Sequence, residues 1–117
     1  MLIRVDPTSS VPLFDQIAAA VRAEIGRGAV RPGDRLPAAR DLAAALDINV
    51  HTVLHAYREL RDEGIVDLRR GRGAVVTHGA GVAAELAGGI RDLVADARRL
   101  GVSAPTLIAL IREECDS

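Results

Sequence analysis

The stretch Asn49-Val-His-Thr-Val-Leu-His-Ala-Tyr-Arg-Glu-Leu60 constrains the fold more than any other part of this 117-residue chain. Val50, Val53, Leu54, Tyr57 and Leu60 recur at spacings of three and four, which predicts a helix with one buried stripe. Asn49 is a good N-cap, and Asp47-Ile48 leaves only a short turn in front of it. Asn49, His51, Thr52, His55 and Arg58 remain as small or hydrogen-bonding side chains able to face outward. A short helix before this stretch and a Gly- and Arg-rich hairpin after it predict a winged helix-turn-helix, with Asn49–Leu60 as its recognition helix.

The flanks fit that order. Leu2 to Val5 reads as a short strand or an ordered arm. A first helix has Pro12 in its opening turn, where a missing N–H costs nothing, and Asp15 complements its dipole. Leu13, Ile17, Ala20, Val21 and Ile25 form its apolar face with Phe14 alongside, and Gly26 and Gly28 stop it. Arg31-Pro-Gly-Asp34 reads as a type II turn, delivering Leu36-Pro37, too short for more than one or two ladder bonds. A second helix runs from about Ala38 to Leu46 with Leu42, Ala43 and Leu46 inward. The third ends near Glu63-Gly64. Ile65–Arg69 and Gly73–Thr77 are β-prone runs joined through Arg70-Gly71-Arg72, whose glycines suit a tight hairpin.

Residues 1–78 therefore read as the winged module and 79–117 as a second segment. Gly79-Ala-Gly81 is expected to be a flexible join. From Val82, the residues Leu86, Ile90, Leu93, Val94, Ala97 and Leu100 form the stripe of one amphipathic helix. Gly101 ends it, Ser103 caps the next with Pro105 in its first turn, and Leu107, Ile108, Leu110 and Ile111 supply a second apolar face. Two such helices bury too little to stand alone. Another copy is the simplest partner, which makes Leu86, Ile90, Leu93, Val94, Leu107, Ile108 and Ile111 the expected homodimer contacts. The fold class is mostly α with a small β-hairpin: an N-terminal winged helix-turn-helix plus a two-helix C-terminal dimerisation segment.

Composition narrows the function. Phe14 and Tyr57 are the only aromatics, so the core is aliphatic. Net charge is −1, but it is unevenly spread. Residues 1–78 hold eleven Arg against ten acids, and 79–117 four against six. Arg69, Arg70 and Arg72 form a local basic cluster with only Asp67 close by. The single Cys115 forms no internal disulfide, and no leader or spanning segment is evident, so a cytoplasmic location is expected, with no membrane partner. His51 and His55, four apart, have zinc-compatible spacing but lack a third ligand, so neither metal nor cofactor is expected. An enzyme is not expected either: Arg69-Arg-Gly-Arg-Gly73 joins two strands, whereas phosphate cradles open a helix.

Pro12-Leu-Phe-Asp-Gln-Ile17, Arg31-Pro-Gly-Asp-Arg-Leu-Pro37, Arg40-Asp-Leu-Ala43, Tyr57-Arg-Glu-Leu-Arg-Asp-Glu-Gly64 and Arg69-Arg-Gly-Arg-Gly73 resemble the GntR family of bacterial transcription regulators over residues 11 to 77. The short tail and the Asn49-x-His-Thr-Val-x-x-Ala-Tyr57 pattern are similar to its YtrA-type branch. The resemblance implies a homodimeric regulator, usually a repressor, on a palindromic DNA operator, with a transporter operon as a plausible target. It also implies DNA contacts at Arg40, Asn49, His51, Thr52, His55, Arg70, Gly71 and Arg72. Ala38-Ala39 departs from the family pattern and removes the expected cap of the second helix. Val50 and Leu54 stand where other branches often carry a base-reading cation, so readout falls to Asn49, His51, Thr52 and His55. A small-molecule effector between the tails and a docking role toward another protein are the competing expectations for the C-terminal segment.

Overall fold

The computed structural model describes residues 3–117, apart from the side chains of 82–84. The expectations placed on Leu2 and on the side chain of Val82 lie outside the described residues. The elements follow as α1 (Leu13–Gly26), α2 (Ala39–Leu46), α3 (Val50–Asp62), β1 (Val66–Arg69), β2 (Gly73–Val76), α4 (His78–Glu85), α5 (Ala87–Leu100) and α6 (Ala104–Cys115). They form two compact units, one ending at Glu85 and the other running from Leu86 to Ser117.

In the first unit α3 packs against both α1 and α2. Ile17, Val21, Val53 and Leu60 are fully buried, and Leu42, Ala43, Ala56, Tyr57, Val66, Ala74 and Val76 complete the centre. Each large aliphatic side chain so buried contributes about 1.5–3 kcal/mol. The stripe expected along α3 needs one correction. Leu54 is only half-buried, and Ala56 takes its place in the core. On a helix, residue 56 lies between 53 and 60 on the inner arc, whereas residue 54 falls at its edge.

Residues 3–6 form an arm without strand pairing. Ile3 enters the core, and the Gln16 side chain holds the arm. Its Oε1 accepts the Asp6 N–H at 2.7 Å, and its Nε2 donates to the carbonyls of Asp6 and Val11. The turn at Arg31–Asp34 closes with Asp34 N–H donating to Arg31 C=O at 3.0 Å. It lays Asp34–Leu36 beside β2, with one isolated bridge between Arg35 and Val75.

β1 and β2 pair antiparallel in the register Val66–Val76, Asp67–Val75, Leu68–Ala74 and Arg69–Gly73. The connecting turn closes with Arg72 N–H donating to Arg69 C=O at 3.1 Å, and its third residue, Gly71, has φ +80°. That left-handed value is what a type II turn demands of this position.

Gly79-Ala-Gly81, expected to be a flexible join, is instead the first turn of α4. Ala80 is buried in the winged module, and Thr77 Oγ1 donates to Gly64 C=O at 2.5 Å. A Cβ at Gly79 would lie 2.7 Å from that same carbonyl oxygen. The glycines here permit close packing, a role their sequence neighbourhood does not distinguish from flexibility. In consequence the contacts divide the chain after Glu85, not after His78. The single helix expected from Val82 to Leu100 is two, α4 and α5, with Leu86 between them.

The second unit holds α5 and α6. Ser103 caps α6, its Oγ accepting the Thr106 N–H at 3.4 Å. Ala97 is the one buried residue among those described in this unit. Leu86, Ile90, Leu93, Leu100, Ile108, Leu110 and Ile111 are exposed, and Val94 and Leu107 are half-buried.

Candidate nucleic-acid interface

Three pieces of the winged module carry the residues expected at DNA: the start of α2, the start of α3 and the β1–β2 turn. Helix α2 begins after Ala38 with no side-chain cap, as the Ala38-Ala39 departure implies. It ends at Asp47, the one non-glycine with positive φ (+56°) among the described residues. Ile48 N–H donates to Ala43 C=O and Asp47 N–H to Ala44 C=O, so the left-handed residue closes α2 and turns the chain into α3 within three residues. Asp tolerates this conformation better than a branched residue does.

At the start of α3 the Asn49 side chain is the cap, its Oδ1 accepting the His51 N–H at 2.8 Å. One carbonyl lone pair is thereby committed to the helix, while the amide N–H groups of Asn49 stay available. His51 is exposed and Thr52 half-buried on this first turn. Arg40 is exposed, and among the described residues it pairs with neither Asp41 nor Asp47. Arg70, Gly71 and Arg72 are all exposed at the turn tip.

His55 is placed differently from the other expected contacts. Its ring stacks on Phe14 of α1, with centroids 3.8 Å apart and planes within 16°. Its Nε2 is 3.6 Å from Glu59 Oε1. This imidazole is engaged with its own fold, leaving about half of the side chain exposed. Phe14 and His55 stand far apart in the chain, so neither gives a sequence signal of such a stack.

Two further contacts fix α3. Tyr57 is buried, and its hydroxyl donates to Pro37 C=O at 2.6 Å; burial pushes the phenol well above its ordinary range. Glu63, at the C-terminal cap of α3, accepts both Nε–H and NH2 bonds from Arg22 of α1. That charge-assisted bond raises the Arg22 guanidinium further above its ordinary value.

Beside this surface lies a shallow apolar hollow of about 300 Å³ lined by Ala38, Ala39, Leu54, Tyr57, Leu68 and Ala74, with Arg69 and Arg70 at its rim. Leu54, which left the core stripe, is therefore part of the surface between α2, α3 and the wing. Sequence reasoning also missed Arg35, which lines a second cleft with Arg69 and Arg72. Only the pairing of Arg35 with Val75 brings them together.

Residues 13–76 match the family described as bacterial regulatory proteins, gntR family. The HTH-type transcriptional repressor YtrA of Bacillus subtilis is 35% identical over 118 residues, covering 96% of this chain and 91% of that protein. The HTH-type transcriptional regulator Rv1152 of Mycobacterium tuberculosis is 39% identical over 86% of this chain and 84% of its own length. Among solved structures, YtrA from Sulfolobus acidocaldarius, a GntR-family transcription factor, superposes with a TM-score of 0.61 at 32% identity, covering 85% of this chain and 99% of that one. No helix among the described residues is long and apolar enough to cross a membrane. With its winged helix-turn-helix, its matched family segment and relatives matched over most of their length, the chain belongs to the GntR family and is a DNA-binding transcription regulator, not an enzyme.

Proposed function

We propose that this regulator is a homodimeric repressor that binds a pseudo-palindromic operator in front of a transporter operon. The observation that carries the DNA reading is the joint exposure of Arg40, without a carboxylate partner among the described residues, and of the Asn49 and His51 turn that opens α3. In this reading Arg40 takes a backbone phosphate. Asn49, His51 and Thr52 meet base edges in the major groove, and Arg70, Gly71 and Arg72 enter the adjacent minor groove. In this reading His55 supports α3 through Phe14 rather than contacting DNA directly. Repression is drawn from the name of the Bacillus subtilis relative.

The dimer reading is supported by the second unit. Leu86, Ile90, Leu93, Ile108 and Ile111 are exposed, with Val94 and Leu107 half-buried between them. Unpartnered apolar surface of this kind marks an interaction face, and a second copy would cover it isologously. The two recognition helices would then read half-sites about 34 Å apart. A small hydrophobic effector would enter along the same apolar face.

The test is a mobility shift with DNA upstream of the chain's own operon, against unrelated DNA of equal length at physiological salt. Preference for the upstream DNA is expected, and equal affinity overturns the reading. In light scattering, wild type runs as a dimer and Ile90→Asp as a monomer. A dimeric Ile90→Asp chain removes this face as the interface.

A further inference from the structure

The outer face of the wing sheet carries a cleft of about 360 Å³ lined by Pro32, Gly33, Arg35, Arg69, Arg72, Val75, Thr77 and His78. Strand alternation explains it. Ala74 and Val76 point into the core, so Val75 points the other way, and it is buried nonetheless, at 7% exposure. Its cross-strand neighbours are Arg35 on one side and Asp67 on the other, with Arg69 two residues beyond Asp67 on the same face. Arginine stems lie well on an apolar side chain and hold their heads at its rim, which builds a floor of valine under a rim of guanidinium groups. Three arginines converge here. One carboxylate, Asp67, accepts from Arg69 Nε at 3.1 Å. Among the described residues Arg35 and Arg72 have no carboxylate partner.

We propose that this cleft is a phosphate site, in which the forks of Arg35 and Arg72 each grip oxygens of one tetrahedral phosphate and Arg69 and His78 close its sides. Planar guanidinium forks suit such an anion, and a guanidinium is more weakly hydrated than an ammonium, so it gives up its water at lower cost. The proposal rests in part on the DNA-binding reading, because the cleft begins beside the turn tip. A phosphodiester flanking the minor groove is one source of the phosphate, in which case Arg72 holds that phosphodiester at the groove edge while Arg70 and Gly71 enter the groove; a free phosphate group is the other. Arg35 and Arg69 are the residues this adds to the wing-tip set.

Two measurements on the full chain decide it. The first is the salt dependence of binding to a duplex of arbitrary sequence, for wild type and Arg35→Gln. Loss of one phosphate contact lowers the slope of log affinity against log salt by about 0.9, so the variant loses about 3.5-fold less affinity than wild type between roughly 50 and 200 mM salt. That result identifies a DNA phosphodiester as the occupant. The second is titration of wild type with inorganic phosphate while following the arginine Nε–H resonances. Saturable movement of Arg35 and Arg72, with the duplex slope unchanged in the variant, identifies free phosphate. An unchanged slope together with immobile resonances overturns the site. If wild type binds no duplex at all, the DNA-binding reading falls, and the phosphate titration, which needs neither DNA nor a variant, still decides the cleft.

Discussion

The Tyr57 hydroxyl donates to the carbonyl oxygen of Pro37 at 2.6 Å, tying the middle of α3 to the residue that leads into α2. Arg40 is three residues further on, so one hydrogen bond sets the spacing between the first candidate phosphate contact and the reading helix. Burial raises the Tyr57 phenol above its ordinary value of 10.0. The unfolded chain therefore ionises first. The stability this group contributes is fully present below about pH 10 and is lost as pH rises through the folded value. Tyr57 is the single tyrosine of a chain without tryptophan, so phenolate absorbance reports it alone. The expected titration is displaced to alkaline pH and coincides with unfolding. Tyr57→Phe should cost about 1 kcal/mol at neutral pH and abolish that alkaline loss. An ordinary tyrosine titration in the folded protein removes the assignment.

Asn49 has two separable duties. Asn49→Ala should lower stability by about 1 kcal/mol through loss of the cap. Asn49→Asp keeps an accepting oxygen for the His51 N–H but has no amide donor. Thermal unfolding near wild type with operator affinity reduced roughly 5- to 150-fold is expected of it, the range of one good base contact. Full operator affinity in Asn49→Asp would reduce Asn49 to a cap.

Phe14 and His55 form a stacked pair. Phe14→Leu and His55→Ala should each lose about 0.5–1.5 kcal/mol of stability from the stack, beyond any change in buried area. Operator affinity is expected to fall to a similar, small extent in both, because His55 acts through the placement of α3. A much larger loss in His55→Ala than in Phe14→Leu would restore His55 as a direct contact.

Gly79 and Gly89 should respond in opposite directions to alanine. A Cβ at Gly79 meets the Gly64 carbonyl at 2.7 Å, whereas at Gly89, inside α5, it meets nothing within 4 Å. Gly79→Ala is expected to cost about 1–3 kcal/mol as backbone is forced aside. Gly89→Ala should stabilise its helix by about 0.5–1 kcal/mol. Chemical denaturation of both variants checks the pair, and a neutral Gly79→Ala would mean that α4 sits loosely on the winged module.

Sequence periodicity and turn chemistry were enough to read α1 to α3, the hairpin and the Asn49 and Ser103 caps, because local patterns determine them. Features set by non-local packing were not legible. Nothing around Gly79 says that it approaches Gly64, fifteen positions earlier, so it reads as a joint. Nothing around Phe14 says that it faces His55. Arg35 reads as one cation in a turn until its strand is laid beside Val75. Leu54 counts equally for a buried stripe or a surface hollow, because a helix edge position is decided by which neighbours arrive.

Helix α3 is held to α1 by the Phe14–His55 stack near its middle and by the Arg22–Glu63 pair at its C-terminal end, with Tyr57 tied to Pro37 between them. Mechanically, contacts at the middle and at one end oppose roll of this rod about its own long axis. With that roll opposed, adjustment to an imperfect half-site is expected to fall on the duplex, and the work of bending or widening a groove depends on which base steps are being deformed. Operators of this regulator should accordingly be distinguished by their pliability at untouched positions as well as by the letters beneath the helix.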